Sequence, residues 1–322
     1  MSSGEVVPRV FIVVPVYRDW VSASRLCAEL DTACARLGGA AVHVLLVDDG
    51  SPDGLHGWQP SPCQHLASRR VLYLRRNLGH QRAIAAGLCH VHAELPCDAV
   101  LVMDADGEDR PEDAIALIAR ALATPGRILF AERRRRLEGL VFRAGYFLYR
   151  LLHRVLTGVS VRVGNFSVVP AAALPRLVCM AELWNHYAGA VFVSRLEYDT
   201  LPLDRGPRYH GQSRMNVTGL VTHGLAGIST FQDVVATRVL VASSIAAALT
   251  LLALMAVLGV RLFTDLAIPG WATDSVGLLL LLLAQLATAA FGLIFTVLAG
   301  RRHVSCVPSR DYAVYVDRVE VL

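Results

Sequence analysis

The chain has 322 residues, 54% hydrophobic and only 18% charged, with a mean hydropathy of +0.46. An ordinary soluble domain is about 25% charged, so this composition excludes a disordered chain and argues against a purely soluble enzyme. Net charge is +4 and all 31 basic residues are Arg. No Lys nucleophile or Schiff base is therefore available, and any phosphate clamp must be a guanidinium or a backbone amide.

At the N-terminus, Arg9 precedes a short apolar run that Pro15 ends, too short for a signal peptide. Val10 to Val14, Val42 to Val47, Val71 to Leu74, Ala99 to Met103 and Arg127 to Ala131 are apolar, largely β-branched runs. Such runs suit strands buried on both faces of a parallel sheet. Helical patterns lie between them at Trp20 to Leu37, Gln81 to His92 and Pro111 to Leu122. Pro111 fits a helix first turn, and Glu112 and Asp113 favour its positive dipole end. The order β-α-β-β-α-β-α-β reads as a nucleotide-binding α/β sheet, whose ligands sit at the carboxyl ends of the strands.

Polar residues follow four of these strands. VLLVDDGSPDG places Asp48 and Asp49 at a strand end, and VLVMDADGED does the same for Asp104 and Asp106. Two carboxylates one residue apart leave an extended backbone in the same direction. Together they can hold a hard divalent cation with waters and a substrate diphosphate. The seven cysteines (Cys27, Cys34, Cys63, Cys89, Cys97, Cys179 and Cys306) form no CxxC pair, which fits reduced thiols and not a zinc site or disulfide frame.

Further along, Leu137, Leu140, Val141, Ala144, Leu148, Leu151, Leu152 and Val155 recur at helical spacing, with Arg143, Arg150 and Arg154 in a stripe beside them. This predicts an interfacial amphipathic helix at 137–156 whose guanidinium groups snorkel. A weaker juxtamembrane helix is expected at 217–238. Val239 to Val260 and Val276 to Gly300 are uncharged stretches of 22 and 25 residues. Each is long enough to span a bilayer, which takes about 20 apolar residues. The short connection between them makes a hairpin over 239–300. Arg208, Arg214 and Arg238 precede it and Arg301, Arg302 and Arg310 follow it, so the positive-inside rule puts both termini, including a tail at 301–322, in the cytoplasm. Gln285 and the small residues of the spans would allow copies to associate as a homo-oligomer.

PVYRD, VDDGSPDG, RRNLGHQRAIAAGL and VMDADGEDRPED resemble the successive motifs of inverting family-two glycosyltransferases with the GT-A fold. With RYHGQSR and two C-terminal spans, the likeness is to the polyprenyl-phosphate glycosyltransferases, which include dolichol-phosphate mannosyltransferase and bactoprenol glucosyltransferases. It implies a GT-A domain at 1–216, with the interfacial helix 137–156 within it, followed by the juxtamembrane helix 217–238 and the hairpin. It also implies that Pro15 and Tyr17 line the nucleotide pocket, that Asp48 and Asp49 accept hydrogen bonds from base or ribose, and that Asp104 and Asp106 hold Mg²⁺ or Mn²⁺, with Ala105 between them on the donor. Arg76, Asn77, Gly79, His80 and Gln81 run into a helix N-terminus, a natural diphosphate site. In RYHGQSR, Arg208, Gly211, Ser213 and Arg214 stand at the acceptor positions. Arg214 replaces the family's usual Lys; it keeps the charge and adds a fork suited to phosphate. GNFSVVP departs from the Gly-Asp-Phe-Arg of many relatives, with Asn165 and Ser167 in place of an acid and an Arg.

The resemblance implies transfer of a sugar from a UDP- or GDP-linked donor to a polyprenyl phosphate, with Asp104, Asp106, Arg208 and Arg214 catalytic, at the cytoplasmic face of a bacterial inner membrane. No nucleic-acid partner is expected. A second reading is transfer to a hydroxyl on a lipid or glycan, which needs a base; Glu182 in AELWNH is the candidate. A third is an inactive nucleotide-binding membrane scaffold. The processive synthases of the superfamily fit poorly, because no Trp stands in a QxxRW setting.

Overall fold

The computed structural model describes residues 7–59, 62–133, 150–159, 163–210, 224–265, 268, 270–302 and 306–322. The chain divides into two units, one of Met1–Tyr146, Val161–Thr230 and Ser305–Leu322, the other of Phe147–Ser160 and Phe231–Val304.

The first unit is built on an eight-stranded sheet of order β7-β5-β6-β4-β1-β2-β3-β8. Its centre is the four expected parallel strands: β1 (Arg9–Val16), β2 (Ala41–Asp48), β3 (Ser68–Leu74) and β4 (Ala99–Val102). In register, Val10 pairs Val42 on one side and Ala99 on the other, which brings the carboxyl ends of all four strands to one edge. Their side chains are buried on both faces, as continuous Val, Ile and Leu runs require. Helix α1 (Trp20–Cys34) and α3 (Pro111–Ala123) cover one face. Helix α2 (His80–Glu94), α4 (Leu174–Val178) and α5 (Tyr187–Ser194) cover the other.

The sheet is more mixed than the sequence pattern alone predicts. β5 (Ile128–Arg133) does not lie beside β4; β6 (Val163–Pro170) is inserted between them, antiparallel to both. β6 begins Val-Gly-Asn and carries a Ser in its middle, which masks its strand periodicity. β7 (Tyr198–Leu203) is a half-exposed edge strand containing Pro202, where a missing N–H costs least. β8 (Val316–Val321) pairs antiparallel with β3. The expected tail at 301–322 therefore ends as a strand of this sheet.

The second unit contains two 32-residue helices, α6 (Gln232–Phe263) and α7 (Trp271–Arg302), packed on each other. They contain the two predicted spans and extend them at both ends. Residues 232–238, expected in a separate juxtamembrane helix, are continuous with α6, after a short helical stretch at 224–229; residues 217–223 lie outside the described residues. Of the expected interfacial helix, 137–149 also lie outside them. Residues 150–157 are helical, with Leu151, Leu152 and Val155 exposed. His153 is buried beside Phe231, and Arg238 donates to the Val155 carbonyl at 2.7 Å.

Candidate active site

Asp48 ends β2 and Asp49 follows it; they are 2% and 3% exposed. Asp48 accepts a hydrogen bond from the Ser51 N–H at 3.1 Å. Asp49 accepts from two backbone amides, Leu78 at 2.6 Å and Gly79 at 2.9 Å. It thus fastens the loop that follows β3. Gly50 has φ +69°, and a Cβ there would lie 2.5 Å from the Arg76 carbonyl carbon and 2.6 Å from the Asn77 nitrogen. The DDG turn and the RRNLG loop are therefore one packed unit, a relationship that the separate motifs do not reveal. Burial pushes both carboxyls above the ordinary range, against the lowering effect of the Ser51 hydrogen bonds on Asp48 and of the Leu78 and Gly79 amides on Asp49.

Pro15 is buried at the end of β1, and Tyr17 beyond it is exposed. Arg18, which sequence reasoning passed over, adopts φ +51°. Its N–H donates to the Ser51 hydroxyl at 2.9 Å, and its guanidinium lies 3.4 Å from Asp53. A cavity of about 380 Å³ opens there, lined by Arg18, Trp20, Ser51, Asp53, Gly54 and His56. No sequence signal short of the left-handed backbone would have found Arg18.

Arg75, Arg76 and Asn77 are exposed and lead through Gly79 to the N-terminus of α2, whose first amides have no side-chain cap. His80 and Gln81 open that helix and join a polar chain. The His80 Nε2 lies 3.2 Å from Asp104 Oδ1 and 3.0 Å from Asn165 Nδ2. Gln81 donates to Asn165 Oδ1 at 3.3 Å and accepts from the Tyr187 N–H at 2.8 Å. Ser167 is buried 2.6 Å from the Tyr187 hydroxyl. The two residues that depart from the family pattern thus have defined partners: Asn165 meets His80, and Ser167 closes on Tyr187. Burial alone would lower the His80 pKa; the Asp104 charge and hydrogen bond, helped by Asp49 and Asp106, overcome it and hold the pKa above its ordinary value.

Asp104 and Asp106 follow β4. Between them Ala105 is buried, and Asp109, also buried, accepts from the Asp104 N–H at 3.1 Å and shapes the turn. Asp106 accepts from the Glu108 N–H at 3.0 Å. Residues 205–209 lie along this turn: Gly206 donates to the Glu108 carbonyl at 2.9 Å and Tyr209 to the Asp106 carbonyl at 2.8 Å. Arg208 reaches Asp106 at 3.0 Å and Glu108 at 2.9 Å, and Arg205 also pairs with Glu108. The Tyr209 ring covers Gly107, carries the Arg25 guanidinium 4.4 Å from its centroid, and its hydroxyl donates to Glu29. Gly211, Ser213 and Arg214 lie outside the described residues. Glu182 is half-buried in a short turn, Ala181–Trp184.

Among the described residues no three His, Cys, Asp or Glu form a ready-made metal cage. The Asp104–Asp106 pair instead fits a hard cation that completes its shell with water and substrate phosphate oxygens. Carboxylates at the carboxyl edge of the sheet stand with the uncapped N-terminus of α2 and the Arg208–Asp106 ion pair, an arrangement of the kind at which α/β proteins bind nucleotides.

The family model described as "Glycosyl transferase family 2" matches residues 11–174, half of the chain. The protein belongs to glycosyl transferase family 2. It is 34% identical over 122 residues to an undecaprenyl-phosphate 4-deoxy-4-formamido-L-arabinose transferase of Salmonella typhimurium, covering 38% of this chain and 36% of that protein. A protein of the same name from Klebsiella pneumoniae (strain 342) is 36% identical over 116 residues, 36% of this chain and 34% of that protein. The match spans about a third of the length of these curated relatives. Glucosyl-3-phosphoglycerate synthase from Mycobacterium tuberculosis, in complex with Mn²⁺, uridine diphosphate and phosphoglyceric acid, superposes with a TM-score of 0.50 at 15% identity, over 71% of this chain and 78% of that one. That likeness shows the GT-A fold.

Proposed function

We propose that this protein transfers a sugar, with inversion, from a UDP- or GDP-linked donor to a polyprenyl phosphate. The observation that carries the reading is the ion pair between Arg208, in the acceptor-side motif, and Asp106, in the donor-side motif. It supports a single site in which the cation proposed for the acceptor phosphate stands beside a carboxylate proposed for the donor. The undecaprenyl-phosphate transferases named above support a lipid phosphate as acceptor.

In this reading Asp48, in register with Val16 at the end of β1, receives the nucleoside with Tyr17, and Asp49 holds the loop that carries the diphosphate. The α2 N-terminus and Arg76 bind phosphate oxygens. Asp104 and Asp106 would hold Mg²⁺ or Mn²⁺, which supplies Lewis-acid stabilisation of the leaving diphosphate. Arg208 and Arg214 draw in the acceptor phosphate and screen its charge from the donor's. A phosphate near neutral pH is already an anion, so its oxygen attacks the anomeric carbon without a general base. The nucleoside diphosphate leaves as the new bond forms on the opposite face of the sugar.

Membrane attachment rests on α6 and α7. Their most apolar windows are 6% and 0% buried, so the side chains need a solvent other than water. The chain leaves the sheet-bearing unit before α6 and rejoins it after α7. This return supports a two-span hairpin, and the Arg residues on its flanks support a cytoplasmic location for both; the reading places the protein in a bacterial inner membrane.

Purified protein, given UDP- and GDP-sugars with a C55 prenyl phosphate, should release nucleoside diphosphate only when the lipid phosphate is present. Nucleotide binding with no turnover on any prenyl phosphate or lipid alcohol would establish an inactive scaffold instead.

A further inference from the structure

The segment after the second span lies outside residues 11–174, the part matched by the family model. Its strand β8 runs antiparallel to β3, from Arg70 opposite Val321 to Leu74 opposite Val316. Pairing of this kind would suffice merely to cover an exposed sheet edge. The contacts continue beyond the strand, however, onto the loop that follows β3. The Arg75 N–H donates to the Tyr315 carbonyl at 2.8 Å, and the Arg75 Nε donates to the Val316 carbonyl at 2.9 Å. The Arg76 guanidinium lies 5.6 Å from the centre of the Tyr315 ring, which is itself packed 5.4 Å from Trp184.

This is the same loop that Asp49 and Gly50 hold from the other side. Residues 75–79 are thus clamped between the DDG turn and the C-terminal segment. Two arginines in succession repel each other and would sample many rotamers if left in water. Here one is tied through its backbone and side chain, and the other rests on an aromatic face, where a guanidinium is attracted by the ring quadrupole. Fixing them before substrate arrives removes an ordering cost from phosphate binding.

We propose that the C-terminal segment is part of the donor site: Tyr315 is a positioning residue that sets Arg76 for the diphosphate of the nucleotide-sugar. The proposal rests on the reading of residues 75–81 as the diphosphate loop. Tyr315 acts on donor binding through Arg76 and has no part in acceptor binding or in the transfer step itself.

The test uses the full-length protein in detergent. UDP and GDP binding with Mn²⁺ is measured by calorimetry, and donor and acceptor kinetics are measured for Tyr315→Leu, Tyr315→Phe and Tyr312→Leu. Tyr315→Leu should weaken nucleoside diphosphate binding and raise donor KM about three- to five-fold, the effect of one exposed cation–π contact. Its kcat and acceptor KM should stay unchanged. Tyr315→Phe keeps the ring and should bind like wild type. Tyr312, buried against His90 and away from the loop, reports on packing alone; Tyr312→Leu should lower the melting temperature with nucleotide affinity intact. Unchanged nucleotide affinity in Tyr315→Leu, or an equal loss in Tyr312→Leu, would overturn the proposal. If wild type binds neither UDP nor GDP, the donor reading fails, and the inference falls with it.

Discussion

Arg208 and Asp106 are paired at 3.0 Å, and the same guanidinium also reaches Glu108 at 2.9 Å. The cation of the acceptor motif is thus paired with Asp106, one of the two carboxylates proposed to hold the metal. A divalent cation held by Asp104 and Asp106 would compete with Arg208 for Asp106. Arg208→Ala should bind Mn²⁺ more tightly than wild type in the absence of nucleotide, read by paramagnetic resonance, while its transfer rate falls about a hundredfold or more. Asp106→Asn should abolish transfer and leave the melting temperature within a few degrees, since partly exposed ion pairs contribute little to stability. Near-normal turnover by Asp106→Asn with added Mg²⁺ would remove the metal assignment.

Asp48 gives a pH prediction with a definite sign. Burial raises its folded-state pKa above the ordinary value of 3.8, the Ser51 hydrogen bonds only partly opposing this. A carboxyl raised on folding destabilises the protein wherever it is charged, and the penalty fades as pH falls through the folded pKa toward 3.8. Asp48→Asn keeps an oxygen for the Ser51 N–H and never bears the charge. Its melting temperature should equal or exceed that of wild type at pH 7, with the difference shrinking as the buffer approaches pH 4 (about the ordinary Asp pKa). Nucleoside diphosphate affinity should fall at the same time. A less stable Asp48→Asn at pH 7 would show that the buried charge is compensated by a partner.

Gly107 has φ +85°, and a Cβ at this position would lie 2.8 Å from the Tyr209 ring. Gly107→Ala therefore combines left-handed strain of about 1–2 kcal/mol with displacement of the segment that carries Arg208. The expected result is a modest drop in melting temperature and a much larger loss of transfer, with acceptor KM raised. Equal losses from Gly107→Ala and from a surface Gly126→Ala, which meets only open space at a similarly positive φ, would mean that the Tyr209 contact has no functional role.

The parallel centre of the fold was legible because β1 to β4 are buried on both faces and read as unbroken apolar runs. Asp48, Asp49, Asp104 and Asp106 were legible because each pair ends such a run. The antiparallel β6 was not, since Gly164, Asn165 and Ser167 stand where a strand pattern would place apolar residues, Asn165 and Ser167 meeting His80 and Tyr187 instead. β8 was hidden for a different reason. Val-Asp-Arg-Val-Glu-Val is largely exposed, and its partner β3 lies more than two hundred residues earlier in the chain, so no local signal marks the pairing. Arg208 was found by its motif, but its contact with Asp106 depends on the Gly107–Tyr209 packing. The placement of Arg18 beside Ser51 and Asp53 goes with a backbone angle that no residue type announces.

Glu182 separates the two acceptor classes. It sits in the turn Ala181–Trp184, with Leu183 and Trp184 buried behind it. A hydroxyl acceptor must lose its proton as it attacks, so a positioned base is worth about a hundredfold or more; a phosphate oxygen has no proton to lose. Glu182→Gln keeps the size and hydrogen-bonding capacity of the side chain and removes only its basicity. With a prenyl phosphate acceptor its kcat should stay within a few-fold of wild type. The wild-type protein should transfer to the prenyl phosphate and not to the corresponding prenol. Transfer to the prenol by wild type, lost in Glu182→Gln, would replace the phosphate acceptor with a hydroxyl and make Glu182 the base.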